Sequence, residues 1–128
     1  AAGECIMALS NLTMQDFEIE AVVSGSNIEL NWKGAMHAPN PEDVLDPYFE
    51  QVIAEALKAK LGVKCNFVPL EYMNSASIPP LIALLRTLAD KKIQGEFVYD
   101  SNRKVQSASF RALDVIARKS KYTSVRGI

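Results

Sequence analysis

Two alternating runs around a short glycine turn constrain this chain's fold more than any other feature. Phe17, Ile19, Ala21 and Val23 alternate with Glu18 and Glu20, and Ile28, Leu30 and Trp32 alternate with Glu29, Asn31 and Lys33. A period of two places each apolar set on one face of a strand. Ser24-Gly25-Ser26-Asn27 between them is turn chemistry, so the runs pair as an antiparallel hairpin. Such a hairpin has to lay its apolar face against another layer, and the downstream sequence supplies helices.

Gly34 reads as the end of the second strand and Ala35 to Asn40 as a loop. Asp46-Pro47 reads as a helix cap and first turn, with Asn40-Pro41-Glu42-Asp43 as a short extra turn upstream. Phe49, Val52, Ile53, Ala56, Leu57 and Leu61 then fall at helical spacing, and Gly62 is well placed as the stop. Val63 to Val68 reads as a strand in which Cys65 is a small core residue. Leu81, Leu84, Leu85 and Leu88 share one face of a second helix, followed by a strand over Ile93 to Tyr99 and a turn at Asp100-Ser101-Asn102. A third helix from Ser107 to Lys119 carries Phe110, Leu113, Ile116 and Ala117 inward, and Thr123 to Ile128 reads as a last short strand. The order is that of an α/β chain: a mixed sheet of four to five strands, covered by helices mainly on one face. Residues 1–15 show no clear period and read as an N-terminal extension, with Ile6, Met7, Leu9 and Leu12 covering an edge; residues 16–128 read as one domain.

A length of 128 residues suits one core, and a formal net charge of −1 with no basic block argues against nucleic acid as a partner. No apolar run reaches the length of a membrane span, and no segment reads as a signal peptide. Two distant cysteines, Cys5 and Cys65, fit a cytoplasmic protein better than a disulfide scaffold. No Cys-x-x-Cys, metal-ligand cluster or glycine-rich phosphate loop is present, and His37 is the lone histidine, in a proline-flanked loop. The expectation is a non-catalytic protein with no metal and no cofactor. Glu71 is the nearest thing to a general acid, but no partner for it is apparent, which leaves a small hydrolase as a weak alternative.

The most informative stretch lies at the centre, where an apolar strand gives way to Met73-Asn74-Ser75-Ala76-Ser77 and then to Ile78-Pro79-Pro80-Leu81. Asn and Ser favour helix N-caps, and proline is tolerated in a first turn where a missing N–H costs little. Strand, polar loop and helix start together present a hydroxyl at the positive end of a helix dipole, a favourable place for an added phosphate. Ser75 is therefore a candidate phosphate acceptor, although the local pattern by itself favours reading Ser75 and Ser77 as plain caps.

This order, over roughly residues 16–122, resembles the STAS fold shared by anti-sigma-factor antagonists and the cytoplasmic tails of sulfate transporters. Antagonists carry Asp-Ser-Ser/Thr-Gly at the strand–helix junction, and the phosphorylated serine follows the acidic residue; Ser75 matches that position. Trp32-Lys33-Gly34 is similar to the strand end before the family's first helix, whereas the family's usual fourth helix has no counterpart before Ile128. Asn74 stands in place of the Asp and Ser77 in place of the Gly, and Pro79 and Pro80 stiffen the helix entry. Asn74 and Val98-Tyr99-Asp100 look more like a divergent STAS-like branch of bacterial regulatory phosphoproteins that control biofilm signalling. The resemblance implies a partner switch in which Ser75 is phosphorylated by an anti-sigma-factor-type serine kinase and restored by a cognate phosphatase. It implies a partner surface of Met73, Asn74, Ser75, Ser77 and Ile78, with the turn from Asp100 to Lys104 beside it, though Met73 and Ile78 read equally as core. A scaffold without phosphorylation and a ligand-binding STAS domain are the other readings. The apolar helix faces look committed to the core, which leaves no obvious pocket for a ligand.

Overall fold

The computed structural model describes residues 9–128. Their strands are β1 (Leu12–Met14), β2 (Phe17–Ser24), β3 (Asn27–Met36), β4 (Gly62–Asn66), β5 (Leu70–Met73), β6 (Gly95–Tyr99) and β7 (Thr123–Gly127). The helices are α1 (Glu42–Ala59), α2 (Ile78–Asp90) and α3 (Lys104–Ala117). All strands join one mixed seven-stranded sheet in the order β1-β2-β3-β4-β6-β7, with β5 paired to β3. The first three strands are antiparallel neighbours, and the other pairings are parallel.

The hairpin forms as its alternation requires, with Ile19 opposite Trp32 and the turn closing at Ser24 opposite Asn27. Leu30, Cys65 and Phe97 are register neighbours across β3, β4 and β6, and all are fully buried. One residue along, Glu29, Lys64 and Glu96 line up on the opposite face and stay partly exposed. The sheet thus has one apolar face, covered by the helices, and one largely polar face, as expected. Trp32 sits at the core's centre, with ring centroids 5.6 Å from Phe17, 6.1 Å from Phe49 and 4.6 Å from Phe67. Phe67 extends this cluster to Phe97 and Phe110.

Several local expectations are corrected. Gly34 does not end β3. It takes φ +81 and lies so near the β1–β2 turn that an added Cβ would stand 2.1 Å from the Asp16 carbonyl oxygen, so only glycine fits. β3 runs on to Met36, through residues read as loop. Helix α1 starts at Glu42, not Asp46, and Pro47 lies inside it. The upstream turn is retained because Leu45 is fully buried, and Pro47 and Asp43 are exposed, so water can serve the carbonyl the proline leaves unpaired. The helix stops at Lys60, in the left-handed conformation; Gly62 instead opens β4, where a Cβ would meet Asn27 and Gln94. Leu57, assigned inward, is 48% exposed. Helix α3 begins at Lys104, a turn earlier than its apolar spacing indicates.

Leu12, expected to cover an edge, does so as part of β1, and Leu9 is buried; Cys5, Ile6 and Met7 lie outside the described residues. Among the described residues no helix is long and apolar enough to cross a membrane.

Candidate functional site

The central segment is two strands rather than one. After Asn66 the chain breaks at Phe67-Val68-Pro69, where the Val68 N–H donates to the Asn66 side chain (3.1 Å) and the Leu70 N–H to the Phe67 carbonyl (3.0 Å). Proline has no N–H for a ladder, so pairing lapses there and resumes at β5. β5 follows the same edge of β3 beyond β4, with Leu70 opposite Gly34 and Met73 opposite Met36 across a register shift. The shift falls at Gly34, so the break in one strand matches the irregularity in its neighbour.

This pairing brings the end of β3 to the entrance of α2. The Asn74 N–H donates to the Met36 carbonyl (3.1 Å), and its side-chain amide donates to the Ala38 carbonyl (2.8 Å). The Asn74 side-chain oxygen accepts from the Ser77 hydroxyl at 2.8 Å, and its carbonyl accepts from the Ser77 N–H at 3.1 Å. Asn74 is therefore a clamp. An aspartate would keep the acceptor for Ser77 but lose the donor to Ala38. Ser75–Ser77 form a single 3₁₀ turn that runs directly into α2, and Pro79 and Pro80 occupy the helix's first turn as expected.

The serines have opposite fates. Ser75 is exposed at the head of the helical run, where backbone N–H groups lack intrahelical acceptors and the dipole is positive. Ser77 is fully buried and faces Asn74, so it offers no surface to a partner and leaves the expected contact set. Met73, Asn74 and Ile78 are half-buried, and Met73 and Ile78 pack against the core.

Two features escaped the sequence reading. His37 stacks on Tyr72 with ring centroids 4.8 Å apart and planes 21° apart, and both side chains are exposed beside the loop. Nothing local links residues so far apart in the chain; the β3–β5 pairing does. The second feature is a brace from α3. The buried Gln106 amide donates to the carbonyls of Phe67 (3.1 Å) and Leu70 (2.6 Å), while its oxygen accepts from the Asp100 N–H (3.1 Å). Arg103 donates to the same Leu70 carbonyl and lies 3.4 Å from the Asp100 carboxylate. The turn expected beside the partner surface stays exposed from Ser101 to Lys104, and its Arg103, with Gln106 just beyond it, also ties down the strand break. A buried glutamine at the end of an apolar helix face was the available signal.

Among the described residues the interior holds no activated nucleophile. Cys65 is fully buried, and burial pushes its thiol up to about 12; the Trp32 indole N–H nearby opposes this weakly without hydrogen-bonding geometry. Burial, then the proximity of Cys65, pushes the Tyr48 phenol up to about 12, and its hydroxyl donates to the Ser10 carbonyl at 2.8 Å. Glu71 is exposed, and among the described residues no cluster of metal-ligating side chains forms.

No protein-family model matches the chain, and no curated protein matches it in sequence. Among solved structures it is similar to a chain of the crystal structure of the diguanylate cyclase SiaD in complex with its activator SiaC from Pseudomonas aeruginosa. The TM-score is 0.65 at 12% identity, over 92% of this chain and 98% of that one. The likeness is one of fold, a mixed α/β architecture matched almost end to end.

Proposed function

We propose that the protein is a non-catalytic bacterial signalling module, similar to an anti-sigma-factor antagonist, that changes protein partners when Ser75 is phosphorylated. The observation that carries this reading is the contrast within one turn: Ser77 is locked inside against Asn74, and Ser75 is held exposed at the start of the 3₁₀ turn that leads into α2. A phosphate there adds roughly −1.5 to −2 charges and new acceptor oxygens. Within the fold the helix N-terminus tolerates that charge. Against an apolar or acidic partner surface the same charge is costly to desolvate, so the fold stays as it is and the affinity drops.

A serine kinase and an opposing phosphatase are the enzymes this switch requires. The fold likeness to a structure of an enzyme with its activator supports a protein target, with a second-messenger enzyme as one class. The test is isothermal titration of the cellular partner with the wild-type, Ser75→Ala and Ser75→Asp proteins, alongside mass spectrometry of the Ser75 peptide after kinase treatment. The expected result is phosphate on Ser75, retained binding by the alanine variant, and loss of about a hundredfold in affinity, near 2.7 kcal/mol, for the aspartate variant. Equal affinities would sink the proposal, as would turnover by the purified protein that Glu71→Gln abolishes.

A further inference from the structure

The helix faces are less committed to the core than their spacing implies. Helix α2 packs more closely on α3 than on α1, and a trough of about 450 Å³ runs between α1 and α2. Phe49, Ile53 and Leu84 form its floor. On its two walls Ala54 and Ala83 reach no further than Cβ, so a third backbone can approach closely. Leu57 stands 48% exposed at one end, an apolar side chain with room for a partner against it.

The trough is open to water along its length. Small-molecule sites enclose most of their ligand, so a small apolar molecule here would leave one side wet. A helix brings its own cover. The charges at the ends select its direction. α1 and α2 both connect parallel strands by crossovers, so they run the same way. On α1 Asp46 lies one turn into the helix and Glu50 at its midpoint, both in the half of the trough that starts at Asp46, and Lys91 caps the C-terminal end of α2 at the other. Helices favour acidic residues in the first turn and basic residues in the last. Such a helix laid antiparallel to α1 and α2 meets Lys91 with its acidic turn and Asp46 and Glu50 with its basic turn. Laid parallel, it would set like charges together at both ends.

We infer that the α1–α2 trough docks one amphipathic helix of a partner protein, antiparallel to both, with an acidic first turn and a basic last turn. The stretch from Asp46 to Leu57 corresponds to roughly 16 Å, about three helical turns. None of residues 73–78 lines this trough, and the inference does not depend on the phosphorylation reading.

The probe is a synthetic helical peptide of about four turns, with leucines at i, i+3, i+4 and i+7 spacing, Glu in its first turn and Lys in its last. A control peptide keeps the leucines and exchanges the charges. Titrated into isotope-labelled protein, the first peptide should shift resonances of residues 46–57 and 80–91 and bind about tenfold more tightly than the control. A spin label on its N-terminus should broaden signals near Lys91 and spare those near Asp46. Ala83→Glu, an exposed substitution that fills the trough, should abolish binding with thermal stability retained. The double variant Asp46→Lys, Glu50→Lys should lose the preference between peptides. Equal binding of both peptides by the wild-type protein, shifts elsewhere, or no binding would each overturn the inference.

Discussion

The entries to α2 and α3 both lie at the C-terminal ends of parallel strands, yet they use their polar groups in opposite ways. The α2 entry clamps itself: Asn74 holds Met36, Ala38 and Ser77, and the turn leaves Ser75 outside. The α3 entry spends its side chains on another part of the chain, with Gln106 and Arg103 gripping the carbonyls at the strand break. Its exposed serine, Ser101, donates its hydroxyl to the Ile128 carbonyl at 2.8 Å. The difference separates a presenting loop from a supporting one. Damage to the support should register as lost stability, and a change at Ser75 as altered binding alone.

The largest stability effect should come from Gln106→Leu, which leaves the Phe67 carbonyl and the Asp100 N–H without their side-chain partner and the Leu70 carbonyl with Arg103 alone. Denaturant unfolding should show a loss of about 2–4 kcal/mol; a loss as small as that of a surface change would break the comparison. Asn74→Ala strands the buried Ser77 hydroxyl and should cost about 1–3 kcal/mol in the same measurement. Asn74→Asp should cost less, because the Ser77 acceptor survives. If the two Asn74 variants are equally damaged, the bond to Ala38 rather than the one to Ser77 is the dominant clamp.

Alkaline titration sharpens the contrast between loops and interior. Cys65 and Tyr48 are both held near 12, above their ordinary 9.0 and 10.0. Above about pH 9 the unfolded chain gives up these protons before the folded one does, so stability is fully present below that pH and falls as pH rises toward 12. Thermal melts of Cys65→Ala should show a shallower decline between pH 9 and 10, where the thiol acts before the phenol. The smallest effect belongs to Ser75→Asp, which should change stability by no more than about 0.5 kcal/mol. A larger loss would mean that Ser75 is part of the clamp.

What the sequence made legible follows from how local each signal is. The hairpin was readable because period two and the Gly25 turn agree, and the position of Ser75 because asparagine, serines and two prolines mark one helix start. The split between β4 and β5 was not, since the alternation of Val63, Cys65 and Phe67 runs on toward Leu70, and Pro69 marks a break without revealing that pairing resumes beyond it on the far end of β3. Lys60 carries no local mark of a left-handed stop, so Gly62 took that role on composition. Helical spacing told which side of α1 turns inward but not how far α1 and α2 splay, so Leu57 was assigned to the core and the trough between the helices was missed. The His37–Tyr72 stack and the grip of Gln106 join distant segments and needed the fold itself.

β5 is hydrogen-bonded as a strand to β3 alone, and the break at Pro69 uncouples it from β4. Leu70 is anchored by burial and by Gln106 and Arg103, but the exposed Glu71 and Tyr72 beyond it are fastened along a single side and can peel away while Leu30, Cys65 and Phe97 stay packed beneath. Under the proposed switch, a modifying enzyme that grips its target as an extended ribbon would then have a short one to hold, leading straight into Ser75, without having to melt the domain.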